Sequence, residues 1–226
     1  MVRENFFGDP EQIIHQEPVN DADPNVEPVE RSRRSQASIV NRTVPRFFGL
    51  VIGINQYPGL ESQDLGGACN DARSICEWLI QDVLPGMDNS DITLQDMLAG
   101  DDNSDISLLL DTEATRDAII KRITALSNNN NIQPQDPILI FYAGHGSVAN
   151  ALSGPNTVKV NDGESAGEGL IEVLIPHDVY TPREAPRDEQ VQPIPDTTMN
   201  RLLRELAQKS NNIVRPTILN QSLPHG

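Results

Sequence analysis

Cysteine is scarce in this chain: Cys69 and Cys76 are the only two in 226 residues. With no second pair, a disulfide framework is excluded as the organising device, and a reducing intracellular compartment is favoured. Positive charge is short as well. Lys and Arg number 17 against 33 Asp and Glu, a formal charge of −16. That balance argues against nucleic acid and against an anionic membrane as partners. No apolar run reaches the length of a membrane span, and Glu4, Asp9 and Glu11 break up the N-terminus, so no secretory h-region is present there. These absences point to a soluble cytoplasmic or nuclear protein. The hydrophobic fraction of 37% is low for a wholly folded chain, and it predicts disordered segments diluting a normal core.

What is present is organised around residues 138–147, ILIFYAGHGS. Ile138 to Tyr142 is a continuous apolar run, as expected of a fully buried strand at the centre of a parallel sheet. It runs into Ala143-Gly144-His145-Gly146. Polar function in such sheets gathers beyond the carboxyl ends of the strands, which is where His145 would sit. The flanking glycines leave room for a substrate backbone to approach the imidazole.

The rest of the chain alternates strand and helix. Residues 1–44 are poor in large apolar groups and read as a disordered leader, with a basic cluster at Arg31 to Ser35. Phe47 to Ile54 is a second buried strand. A helix is expected from Asn70-Asp71, with Ala72, Ile75, Cys76, Leu79, Ile80 and Val83 on one face and Pro85-Gly86 at its end. Ile92 to Leu98 reads as a short strand and Asp101 to Leu110 as an acidic, solvated loop without EF-hand spacing. Thr115 can cap a helix reaching Leu126. A Gly/Ser/Asn-rich surface loop should follow His145 as far as Gly169, ahead of a short strand over Gly169 to Ile175. A loop over Pro182 to Pro195 leads to an amphipathic helix that Asp196 is expected to cap, carrying Met199, Leu202, Leu203 and Leu206. This order predicts an α/β fold with a mostly parallel sheet flanked by helices.

Taken in order, FFGLVIGINQY, LGGACNDA, ATRDAIIKRI, ILIFYAGHG, GLIEVLIPHD and IPDTTMNRLLREL resemble the large-subunit half of a caspase-fold cysteine peptidase, a metacaspase or fungal caspase-domain protein. The resemblance covers Arg46 to about Ile213, so the expected domain is 45–213, with 214–226 a divergent tail. It implies that His145 is the general base and acid for a cysteine thiol, and that Gly146 lends its N–H to an oxyanion hole. It implies that Asp71 lines a primary pocket for Arg or Lys, because a buried carboxylate there pairs with a basic side chain. Asp64-Leu65-Gly66 lacks the arginine that would instead select Asp. The substrate class implied is polypeptide, or else a caspase-like partner.

The family's catalytic cysteine is expected near residue 220, and this chain has no cysteine after Cys76. The resemblance therefore implies a domain cut short before its nucleophile, with a sheet incomplete at its C-terminal end and an uncovered edge prone to self-association. Cys69, near a helix N-terminus that would lower its pKa, is a low-odds substitute nucleophile, and Cys76 reads as core. The expectation is a cysteine-type endopeptidase domain of basic specificity that is inactive as the chain stands, or alternatively a non-catalytic interaction or regulatory module. No cofactor or metal site is expected from the residues. Calcium dependence occurs in the resembled family, and Asp162, Glu164 and Asp178 are acidic candidates without specific spacing. An esterase using Gly144-His145-Gly146 as its oxyanion loop is set aside because it would need a G-x-S-x-G nucleophile elbow, and none is expected in this chain.

Overall fold

Strands alternating with helices build a three-layer α/β unit in the computed structural model, which describes residues 42–58, 63–100, 102–150, 170–179 and 191–214. The predicted leader as far as residue 41, most of the loop after β4 and the tail from residue 215 lie outside the described residues. Everything described belongs to one compact unit.

The principal sheet is wholly parallel, in the order β2-β1-β3-β7. Its strands are β1 (Phe48–Gly53), β2 (Ile106–Leu110), β3 (Ile138–Ala143) and β7 (Ile213–Val214). A small antiparallel sheet follows, in which β4 (Gly146–Asn150) pairs with β5 (Leu170–Leu174) and β5 with β6 (Ile194–Pro195). The helices are α1 (Ala68–Trp78), α2 (Leu94–Leu98), α3 (Arg116–Asn128) and α4 (Asp196–Leu206), and a π-helical turn over Leu79–Val83 prolongs α1.

Alternation along β1 sorts the core. Phe48, Leu50 and Ile52 pack with Ile138, Ile140 and Tyr142 of β3 against Ile119, Ile123 and Leu126 of α3 and Leu202, Leu203 and Leu206 of α4. Phe47 and Val51 face the other way, onto Ala72, Cys76, Leu79, Met97, Ile106 and Leu108. Each face is thus covered by helices, as a parallel sheet requires.

Several boundaries differ from the sequence expectation. β1 is buried at all six positions. On β3 only Ile138, Ile140 and Tyr142 are fully buried, while Leu139 and Phe141 are half-buried. Ile106–Leu110 is a sheet strand rather than loop, because its five residues pair with β1 from Gly49 to Gly53. Residues 94–98 form a helical turn rather than a strand. Thr93 Oγ1 accepts the Asp96 N–H, and the Asp96 carboxylate accepts the Thr93 N–H, a reciprocal cap that starts a helix.

Helix α1 begins at Ala68 with Gly67 at the cap position, not at Asn70-Asp71, and its Cys69 N–H donates across to Asn55 Oδ1 at 3.2 Å. Asp196 lies in the first turn of α4 rather than capping it, with Pro195 before it pre-setting the backbone. Residues 146–150 are strand where a loop was expected.

The chain ahead of β1 is pinned at the amino end of the sheet. Asp136, fully buried, accepts Arg42 Nη2 at 2.5 Å, the Arg46 N–H at 2.9 Å and the Gln133 N–H at 2.7 Å. Arg46 also pairs with Asp105, whose Oδ2 accepts Asn89 Nδ2 at 3.0 Å.

Candidate active site

Because β1, β2 and β3 are parallel and in register, they end together: Gly53 lies beside Leu110 on one side and Ala143 on the other. The segments leaving them, Asn55 to Tyr57, Asp111 and Gly144-His145, therefore emerge at one rim, as expected for polar function in such a sheet.

His145 is buried there, at 6% exposure. Its Nε2 lies 2.5 Å from the Gln63 carbonyl oxygen. A carbonyl only accepts, which assigns the proton of the neutral ring to Nε2 and leaves Nδ1 as a lone pair. Nδ1 is buried and has no hydrogen-bond partner among the described residues. An imidazole oriented through one nitrogen, with the other basic, is the arrangement that removes a proton from a thiol.

The backbone of His145 is held as firmly as its ring. Its N–H donates to Tyr57 Oη at 2.7 Å, and its carbonyl accepts Tyr142 Oη at 2.9 Å and the Ile175 N–H at 3.0 Å. The Tyr57 ring lies 4.7 Å from the imidazole, tilted by 47°.

Asp111 organises the other side of the rim from a left-handed backbone, φ 43°. Its Oδ1 accepts the Asn55 N–H at 2.7 Å and the Gln56 N–H at 2.9 Å, and its Oδ2 faces Cys69 Sγ at 3.3 Å. Burial pushes this carboxyl upward, but the Gln56 and Asn55 amides, the Cys69 thiol and the nearby His177 outweigh it and hold it below the usual carboxylate range. His177 Nδ1 in turn donates to the Gln56 carbonyl at 2.9 Å.

With this rim in view, the sequence comparison is decisive: the model of the metacaspase peptidase C14 domain matches residues 49–214. The chain belongs to the metacaspase family of C14 peptidases. A search of curated proteins finds no match. Among solved structures, protein GSU0716 from Geobacter sulfurreducens is similar at 15% identity, with a TM-score of 0.45 over 76% of this chain and 48% of that one. The chain thus spans about half the length of that structure.

The metacaspase resemblance singled out other residues as well. Asp71 sits in the first turn of α1 with its side chain exposed rather than buried, and its N–H donates to the Gly67 carbonyl at 2.9 Å. Gly146 opens β4 opposite Leu174. Asp178 Oδ1 accepts the Arg116 N–H at 2.8 Å, at the start of α3. Asp162 and Glu164 lie outside the described residues, among which no group of three or more His, Cys, Asp or Glu could hold a metal ion. The chain does contain one G-x-S-x-G string, Gly163 to Gly167. That string, contrary to the sequence expectation, is present, and it too lies outside the described residues. No helix among the described residues is long and apolar enough to cross a membrane.

Cys69 does not have the chemistry that a helix terminus by itself would give it. Its thiol points at the Gly53 carbonyl and at Asp111, both at 3.3 Å, and burial followed by the Asp111 carboxylate raises its pKa. A neighbouring anion disfavours thiolate, and this outweighs the helix end. Cys76 is fully buried and pushed up to about 12 by burial. Both thiols are therefore expected to resist iodoacetamide at pH 7.5 in the folded chain and to react fully in denaturant. Rapid native labelling of Cys69, read by mass spectrometry, would contradict this placement.

Sequence reasoning singled out His145 but not its neighbours at the rim, Tyr57, Gln63, Asp111 and His177. Tyr57 and His177 carried a signal, since each adjoins an apolar run ending in a strand. Gln63 acts only through its carbonyl, which its residue type does not reveal.

Proposed function

We propose that this metacaspase domain presents His145 as the acid–base group of a cysteine peptidase, and that the chain by itself binds polypeptide without cleaving it. The observation that carries the reading is the state of the imidazole: Nε2 is anchored on a backbone carbonyl while buried Nδ1 is left unpartnered, at the carboxyl end of β3. The second half rests on the thiols. The chain has only Cys69 and Cys76, one protonated against Asp111 and the other sealed in the core. Loss of the nucleophile in such a site typically costs several orders of magnitude in rate.

Asp71 is the group proposed to favour basic side chains. Its support is an exposed carboxylate in the first turn of α1, a helix whose N-terminus reaches the rim through the bond from the Cys69 N–H to Asn55. An Arg side chain would gain a charge-assisted pair there. Gly146 is proposed as an oxyanion donor by its match to the family motif alone.

Fluorogenic peptides ending in Arg, Lys or Asp test the reading. No turnover above background is expected with any of them, and an Arg-terminated peptide should bind more tightly than its Asp counterpart, with the preference reduced by Asp71→Asn. Turnover that disappears in His145→Ala would overturn the claim that the chain only binds. Equal binding of the Arg and Asp peptides would overturn the role of Asp71.

A further inference from the structure

Gly144 has no room for a side chain, and the reason is informative. A Cβ there would lie 2.7 Å from Tyr142 Oη and 2.9 Å from Tyr57 Oη. Two phenol oxygens thus converge on the peptide just ahead of the histidine, and they are hydrogen-bonded to each other. Each phenol has one proton to donate. Tyr142 Oη has the His145 and Ile175 carbonyls, each at 2.9 Å, as acceptors, and Tyr57 Oη receives the His145 N–H. The Tyr142 proton therefore goes to the carbonyls. The His145 N–H is thus held by Tyr57 and the His145 carbonyl by Tyr142, and the two phenols lie against each other. Both peptide groups flanking the His145 Cα are held by them.

We infer that Tyr57 is a positioning residue for His145, with Tyr142 as its support: its hydroxyl fixes the backbone of the histidine and its ring packs against the imidazole, so that Nε2 meets the Gln63 carbonyl. Tyr57 reaches this place because the turn after β1 is itself fixed. Its own N–H donates to Asp64 Oδ1 at 2.8 Å, and the preceding Asn55 and Gln56 amides are taken up by Asp111. The phenols are uncharged across the range in which an imidazole titrates, since burial raises both. The clamp is therefore present whether His145 is protonated or neutral, as a group that takes up and returns a proton requires.

The inference rests on the reading of His145 as the acid–base group, and the test separates the two. In the whole chain labelled with 15N, long-range proton–nitrogen correlation spectra report the tautomer of each histidine ring, and amide exchange reports the His145 N–H. The wild type should show His145 as the Nε2–H tautomer. Tyr57→Phe keeps the ring and removes the acceptor. It should speed His145 amide exchange by about tenfold or more, and it should move the imidazole nitrogens toward tautomer averaging while circular dichroism still shows a cooperative transition. Tyr142→Phe, a second variant should the first not fold, should give the same signature in weaker form. Imidazole shifts that are identical in wild type and Tyr57→Phe would overturn the positioning role and leave the acid–base reading intact. A wild-type Nδ1–H tautomer would overturn the acid–base reading itself, whatever the variants show.

Discussion

Replacing Asp136 by alanine is expected to lower the free energy of unfolding by roughly 3–5 kcal/mol, the cost of breaking a buried charge pair from one side. Its carboxylate is fully buried and accepts three donors: the Arg42 guanidinium, the Arg46 amide and the Gln133 amide. Alanine would leave both amides without an acceptor and the largely buried Arg42 without its closest anion. Against a typical net stability of about 5–15 kcal/mol, that is a large fraction. Asp136→Asn keeps the shape and one acceptor oxygen, so it should cost clearly less. Urea unfolding followed by circular dichroism measures both. A loss under about 1 kcal/mol for Asp136→Ala would mean that the segment before β1 is not docked in solution, since an exposed pair contributes only that much.

Gly53→Ala should also be severe, for a steric reason. A Cβ at the last residue of β1 would lie 2.7 Å from Ala72 Cβ, 2.8 Å from the Ala68 carbonyl oxygen and 2.9 Å from Cys69 Cα. Two of those atoms are backbone, so relief requires the first turn of α1 to move off the sheet. Overpacking typically costs about 1–3 kcal/mol, and contact with backbone puts this case at the upper end. The same displacement would pull Cys69 away from Asp111 and shift Asp71. The measurable result is a lower thermal midpoint together with faster alkylation of Cys69. Ala72→Gly in the same chain should restore only part of the loss, because it removes one of the three contacts. Full recovery in the double variant would show that the side chain of Ala72, not the helix backbone, sets the limit.

Much of the architecture was legible from residue patterns. The apolar runs of β1 and β3, Thr115 as the cap of α3, the leucine stripe of α4 and the position of His145 beyond β3 all followed from local spacing. Two misses had readable signals. Ile106 to Leu110 is a five-residue, mostly apolar strand whose acidic flank from Asp101 to Asp105 gave it the look of a loop. Thr93 to Asp96 has the spacing of a reciprocal helix cap, which argues against the strand once expected there. The start of α1 was not readable in the same way. Asn70 and Asp71 look like capping residues, yet the donor at Cys69 is satisfied by Asn55, fourteen positions earlier.

The sequence by itself marked most of the strands and helices and the GHG motif at His145, because periodicity, caps and motifs are relations between near neighbours in the chain. Only the tertiary structure decided what the histidine meets. Tyr57 and His145 are 88 residues apart, and Arg42 and Asp136 are 94 apart. Parallel strands of matched register bring their ends together regardless of the length of chain between them. The partners at each rim are therefore set by strand order and register, which no local pattern of residues contains.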